Sequence, residues 1–139
     1  MNRSQQTTES KTILIVDDDH SICAFFETVL SAEGFRVITE TSGEDALKLV
    51  QSDSFDQYDL LILDLMMPNY GGFELLREMQ QEGYQKIPIF VVTARVLDQG
   101  TIDMIRMESN VQDFFKKPVD PKELRKRVHQ LLGTTPTRR

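Results

Sequence analysis

Four short apolar runs in this chain each end on a side chain suited to phosphate chemistry: TILIVDDD at Asp17 to Asp19, LLILD at Asp64, IFVVT at Thr93 and DFFKKP at Lys117. If the runs are neighbouring parallel strands, their carboxyl ends meet on one rim, where open α/β sheets place ligands. Carboxylates crowded at a strand end repel one another unless a cation neutralises them. A divalent ion meets that need. Magnesium prefers oxygen ligands, keeps several waters and takes one or two carboxylates plus a phosphate oxygen, and Asp17, Asp18 and Asp64 could supply such a site. The plainer reading of an aspartate triplet is a solvated acidic turn that favours the N-terminus of the helix after it.

Asp64 carries the sharper argument. A carboxylate following LLIL is unfavourable to desolvate without compensation, so a metal beside it and the ammonium of Lys117 would keep it ionised. Such a carboxylate can act as a nucleophile and form an aspartyl phosphate. Phosphoryl transfer needs little beyond alignment and charge neutralisation, and Thr93 can donate to a phosphoryl oxygen. Taken singly, Thr93 reads as an ordinary strand-end threonine and Lys117 as a surface lysine; the signal lies in their joint placement at strand ends.

The elements that must position these groups follow from length and patterning. At 139 residues and 40% hydrophobic content, the chain suits one domain with a real core. Its net charge of −6 argues against a broad electrostatic footprint for nucleic acid or an anionic membrane surface, so direct nucleic-acid binding and membrane association are not expected. The N-terminal MNRSQQTTES lacks a signal-peptide core, and no run approaches the ~18 to 20 apolar residues of a membrane span; a cytoplasmic location is the expectation. The single cysteine, Cys23, has apolar neighbours and reads as a small buried residue. No internal repeat or zinc-type Cys/His spacing is present.

Strand-like and helix-like stretches alternate, as in a parallel sheet covered by helices on both faces. The first strand runs to Asp17. Ser21 to Ala32 carries Ile22, Phe25, Phe26, Val29 and Leu30 at helical spacing, with Gly34 as a stop. A strand over Phe35 to Thr39 and a helix over Glu44 to Val50 follow, the helix opened by Thr41 and Ser42. Leu60 to Leu63, apolar on both faces, reads as a central strand. A helix carrying Phe73, Leu75, Leu76 and Met79 ends near Gly83, Ile89 to Val92 is the fourth strand, and a fourth helix lies near Asp98 to Glu108. Phe114 and Phe115 mark the fifth strand. The last helix has Asp120 as N-cap, Pro121 at its first position and Gly133 at its end. This predicts a flexible leader over 1–10, a domain over 11–133, and a flexible tail or cut linker over 134–139.

The pieces ILIVDDD, DLLILDLMMPNYGG, PIFVVTA and KKPVDPKEL, in that order, resemble the receiver domain of two-component response regulators, of a chemotaxis-regulator-like kind. The resemblance covers Lys11 to Gly133. It implies a flavodoxin-like, doubly wound five-stranded parallel sheet of order 2-1-3-4-5 with five helices. It also implies a phosphorylation switch rather than a turnover enzyme, one that catalyses only its own phosphoryl transfer and slow dephosphorylation. By this resemblance Asp17 and Asp18 bind Mg2+ together with Asp64 and the carbonyl of Met66, Asp64 is the phosphoacceptor, and Lys117 contacts the phosphate. Thr93 and Phe114 are then the switch pair, and the peptide before Pro118 is cis. The implied phosphodonor is a phosphohistidine on a sensor histidine kinase or histidine phosphotransfer protein. The implied output surface is the fourth helix, fifth strand and fifth helix, with a phosphorylation-dependent homodimer left open.

Several positions depart from the family pattern. The stretch from Thr93 to Lys117 is longer than usual, and Asn110 stands where a glycine commonly ends the fourth helix, a place where asparagine tolerates the left-handed conformation. Tyr70 replaces a frequent methionine. Arg95 lies where variation is expected to tune dephosphorylation. Ile22 matches an apolar contact for the phosphodonor or belongs to the core, and His20 and His129 show no partner pattern of their own. Two alternatives stand beside this reading. Asp17 to Asp19 also form the DxD opening of haloacid-dehalogenase-type metal-dependent phosphatases, although Ser21 is unusual there and no later GDxxxD-like motif follows. A pseudo-receiver that only binds partners is the other.

Overall fold

The strand runs LLILD and IFVVT are apolar at every position before their polar ends because both of their faces are covered. In the computed structural model, which describes residues 7–52, 55–83, 86–107 and 110–136, they are β3 (Leu60–Asp64) and β4 (Ile89–Thr93), and each is buried along its whole length. The remaining strands are β1 (Thr12–Val16), β2 (Arg36–Glu40) and β5 (Val111–Lys116). All pairings are parallel and the order is β2-β1-β3-β4-β5, as expected. β2 is an edge strand, and its mixed sequence RVITE is only partly buried.

The helices are α1 (His20–Ala32), α2 (Gly43–Val50), α3 (Gly72–Gln81), α4 (Gln99–Arg106) and α5 (Pro121–Leu132). Alternation along each strand sends side chains to two separate cores. One joins Leu14, Val16, Leu61, Leu63, Ile89 and Val91 to α2, α3 and α4. The other joins Ile13, Ile15, Leu60, Ile62, Phe90 and Val92 to α1 and α5.

Local chemistry sets the helix starts. Asp19 accepts from the N–H groups of Ser21 and Ile22 and caps α1, Ser42 caps α2, Asp98 caps α4 and Asp120 caps α5 with Pro121 next to it. Each satisfies donors that a helix N-terminus leaves without intrahelical partners. At the start of α3 the Glu74 side chain reaches back to the Gly71 N–H. Gly72 is required there: a Cβ at that position would collide with the carbonyl oxygen of Asp64, so its absence lets α3 begin directly against the backbone of β3. Gly133 ends α5 in the left-handed region, at φ 68°.

Three local details go beyond the sequence reading. Asn110 does not take the left-handed conformation; among the described residues the non-glycine with positive φ is Asn69, at 62°. Asn110 is instead buried, donating to the Ile87 carbonyl and accepting from Gln80, so its amide joins α3 to the starts of β4 and β5. Thr8–Ser10, read as leader, forms a 3-10 turn. Thr134, read as tail, is buried against α5, where its N–H donates to the His129 carbonyl. Residues 1–6 of the leader, the tail end, 137–139, and Glu108, read as the last residue of the fourth helix, lie outside the described residues.

Candidate functional site

Because β1 and β3 are neighbours, with Val16 beside Leu63, Asp17 just past β1 and Asp64 at the end of β3 reach the same point on the sheet rim. Both are almost fully buried, at 1% and 4% exposure, whereas Asp18 is exposed. Oxygen atoms of Asp17, Asp18 and Asp64 all lie within 4.8 Å of one another. Lys117, directly after β5, extends its ammonium across β4 to meet them, 2.8 Å from Asp17 Oδ2 and 3.4 Å from Asp64 Oδ2.

The other oxygen of each buried carboxylate is held by backbone. Asp17 Oδ1 accepts from the Asp19 N–H at 2.9 Å, and Asp64 Oδ1 accepts from the Met66 N–H at 3.0 Å. Asp17 Oδ2 is different. It is buried, and despite the close ammonium it has no hydrogen-bond partner of suitable geometry among the described residues. A buried carboxylate oxygen left in this state is costly.

Charge follows the same logic. Burial pushes the Asp17 carboxyl above the usual aspartate range, Lys117 counters this only in part, and the charge of Asp64 adds to the rise. Burial works against the Lys117 ammonium, but Asp17 and Asp64 together outweigh it and raise its pKa above the ordinary lysine value. One ammonium therefore faces three carboxylates. An orphaned buried oxygen, three converging hard oxygen donors and excess negative charge fit a divalent cation.

Thr93 closes β4 on the same rim and is buried. Its hydroxyl is turned toward the following loop, accepting from the Arg95 N–H at 3.1 Å and donating to the Arg95 carbonyl at 3.4 Å. Phe114 is half-buried on β5, packed against the core that contains α4. Met66 is exposed in the loop after Asp64, and the Lys117–Pro118 peptide is cis.

The structure thus brings Asp17, Asp18, Asp64 and Lys117 into direct reach of one another. It places Thr93 beside them without a bond to Asp64. Asp19 separates from its two neighbours as a helix cap, which the rule that aspartate favours the position before a helix could have signalled. Cys23 donates its thiol to the Asp17 carbonyl, and burial, with the nearby Asp17 charge, pushes its pKa up to about 11. Its packing role stands. Ile22 is partly buried against the core beneath α1. Two pairings had no sequence signal: Arg106 over the Phe114 ring, and His129 buried between Glu33 and Thr134.

The model of the response regulator receiver domain matches residues 13–129. The chain belongs to the response regulator receiver family. Response regulator SaeR of Staphylococcus aureus is 35% identical over 120 residues, which is 86% of this chain and 50% of that protein. This receiver chain therefore spans about half the length of the curated relatives it matches. Among solved structures, the receiver domain of Francisella response regulator 1452 is 27% identical with a TM-score of 0.75, covering 88% of this chain and 96% of that one. Vibrio cholerae chemotaxis protein CheY4 is 27% identical with a TM-score of 0.74, covering 88% and 98%. Asp17, Asp18, Asp64, Thr93, Phe114 and Lys117 all fall within the receiver match. Neither the phosphatase nor the pseudo-receiver alternative gains support from these similarities. Among the described residues, no helix is long and apolar enough to cross a membrane.

Proposed function

We propose that this receiver domain accepts a phosphoryl group on Asp64 from a phosphohistidine of a sensor histidine kinase or histidine phosphotransfer protein. The observation that carries the reading is the buried Asp64 carboxylate, with one oxygen held by the Met66 N–H and the other beside Lys117. The carboxylate attacks phosphorus as the phosphorus–nitrogen bond breaks. The electron pair leaves with the imidazole, which takes up a proton from solvent. Asp17, Asp18, Asp64 and the carbonyl of Met66 are the groups that would hold Mg2+. When bound, that ion neutralises charge on the transferring phosphoryl oxygens.

Lys117 holds a positive charge beside Asp64 and Asp17 and stays protonated at neutral pH because its two aspartate neighbours favour the ammonium. The phosphoryl group draws the Thr93 hydroxyl away from Arg95, and Phe114 moves into the space behind it. The surface changed by that motion, α4, β5 and α5, contacts a downstream partner. The functional unit is the domain over 11–133, it works in the cytoplasm, and its chemistry is confined to its own phosphorylation and slow dephosphorylation.

Intact mass of the wild-type chain and Asp64→Ala, each with Mg2+ and a small-molecule phosphodonor, tests this reading. One acid-stable phosphate equivalent on the wild type and none on the variant is expected. Equal labelling of both, or none on either, overturns it, and turnover of phosphate esters by the purified chain would favour the phosphatase chemistry instead.

A further inference from the structure

Arg106 is the last residue of α4, and its guanidinium carbon stands 4.8 Å from the centroid of the Phe114 ring. A cation over an aromatic face is attracted by the ring quadrupole, so this contact favours the ring position in which the two groups meet. The chain path shows which way the ring would have to leave. β4 runs out to Thr93 on the rim and α4 carries the chain back, so Arg106 lies toward the start of β5. Thr93 lies the other way: Val91 is beside Phe114, and Thr93 is beside Lys116. Space released when the Thr93 hydroxyl turns toward Asp64 is therefore on the side of Phe114 away from Arg106.

We infer that Arg106 is a positioning residue that holds Phe114 in its half-exposed position and thereby raises the threshold for the phosphoryl-driven switch. The inference rests on the phosphoacceptor reading above. Phenylalanine offers no hydroxyl with which another group could hold it outward. Among the described residues, its two positions differ through packing and through this cation. A planar guanidinium can lie over the ring, while a lysine ammonium acts as a point charge, so Arg106→Lys retains part of the effect and Arg106→Ala removes it.

The test is Mg2+-dependent beryllofluoride binding by the 139-residue chain, followed by calorimetry and by NMR of labelled phenylalanine rings. It compares the wild type, Arg106→Ala, Arg106→Lys, Phe114→Leu and the Arg106→Ala/Phe114→Leu pair. Removing an exposed cation–π contact should tighten apparent binding on the order of 2- to 5-fold in Arg106→Ala, by less in Arg106→Lys, and not at all when Phe114 is already leucine. The Phe114 resonance of Arg106→Ala should move toward its beryllofluoride-bound position before any ligand is added. Unchanged or weaker binding in Arg106→Ala, or the same change in the leucine background, overturns the inference while leaving Asp64 as phosphoacceptor. A wild type that fails to bind beryllofluoride overturns both.

Discussion

The ammonium of Lys117 lies 3.4 Å from Asp64 Oδ2, reaching it from the far side of β4. One strand therefore separates the cation from the carboxylate it serves, and the long lysine stem spans that gap while its charge remains at the sheet rim. Burial on both sides makes the pair stronger than an exposed ion pair would be.

Lys117→Met should lower the rate of phosphoryl uptake by roughly 100-fold or more, the size seen when a preorganised charge donor is removed from a transition state. Mg2+ binding should persist, because no carboxylate is lost. Phosphate gain by intact mass and metal titration by calorimetry separate the two effects. Loss of both together would mean that the lysine builds the site rather than acting on the phosphoryl group.

Asp17 is buried, orphaned at Oδ2 and pushed toward its neutral form. Asp17→Asn should raise stability in the absence of metal by roughly 1–3 kcal/mol, since it removes a poorly satisfied buried charge, and should weaken Mg2+ binding. Urea melts with and without Mg2+ test this: the wild type should gain more from the metal than the variant does.

His129 lies almost fully buried at the opposite end of the domain, with Nε2 2.8 Å from Glu33 Oε1 and Nδ1 2.7 Å from Thr134 Oγ1. The ring also packs against Phe35. His129→Ala removes both partners' contacts and leaves a cavity, at an expected cost of about 3 kcal/mol. Phosphoryl uptake by the folded fraction should be unchanged, so a denaturant melt and a labelling assay should disagree about how severe the substitution is.

The Asp98 carboxylate is held below its usual pKa by the Thr101 N–H at the start of α4. A depressed folded pKa means that this cap contributes fully above the unfolded aspartate value and fades as pH falls through the folded one. Asp98→Ala should therefore be less stable than wild type near neutrality, and the gap should close in acid. Paired urea melts across pH 2 to 7 read this directly; a gap independent of pH would show that the charge is not what caps α4.

Much of this was legible in the chain because the signals are local. Alternation and continuous apolar runs identify edge and central strands, and Asp120, Pro121 and Gly133 punctuate α5 within a few residues of where they act. The residue types at the strand ends, Asp17, Asp18, Asp64, Thr93 and Lys117, likewise name a phosphate chemistry once a parallel sheet is assumed. The role of Asn110 lies beyond such local signals, because its partners, Gln80 and the Ile87 carbonyl, come from other elements.

What the sequence determined alone, then, was the set of elements and the chemical kit at the strand ends, since patterning and caps act over one or two turns, while the strand order followed only from the family resemblance. Only the tertiary structure decided how the kit is divided. It assigned Asp19 to α1 as a cap, left Asp17 Oδ2 without a hydrogen bond, engaged the Thr93 hydroxyl with Arg95, set Arg106 over Phe114 and joined His129 to Glu33 across 96 positions of chain. Those outcomes depend on where long side chains point after helices pack on the two faces of the sheet, and no local pattern encodes a direction that is chosen by a distant neighbour.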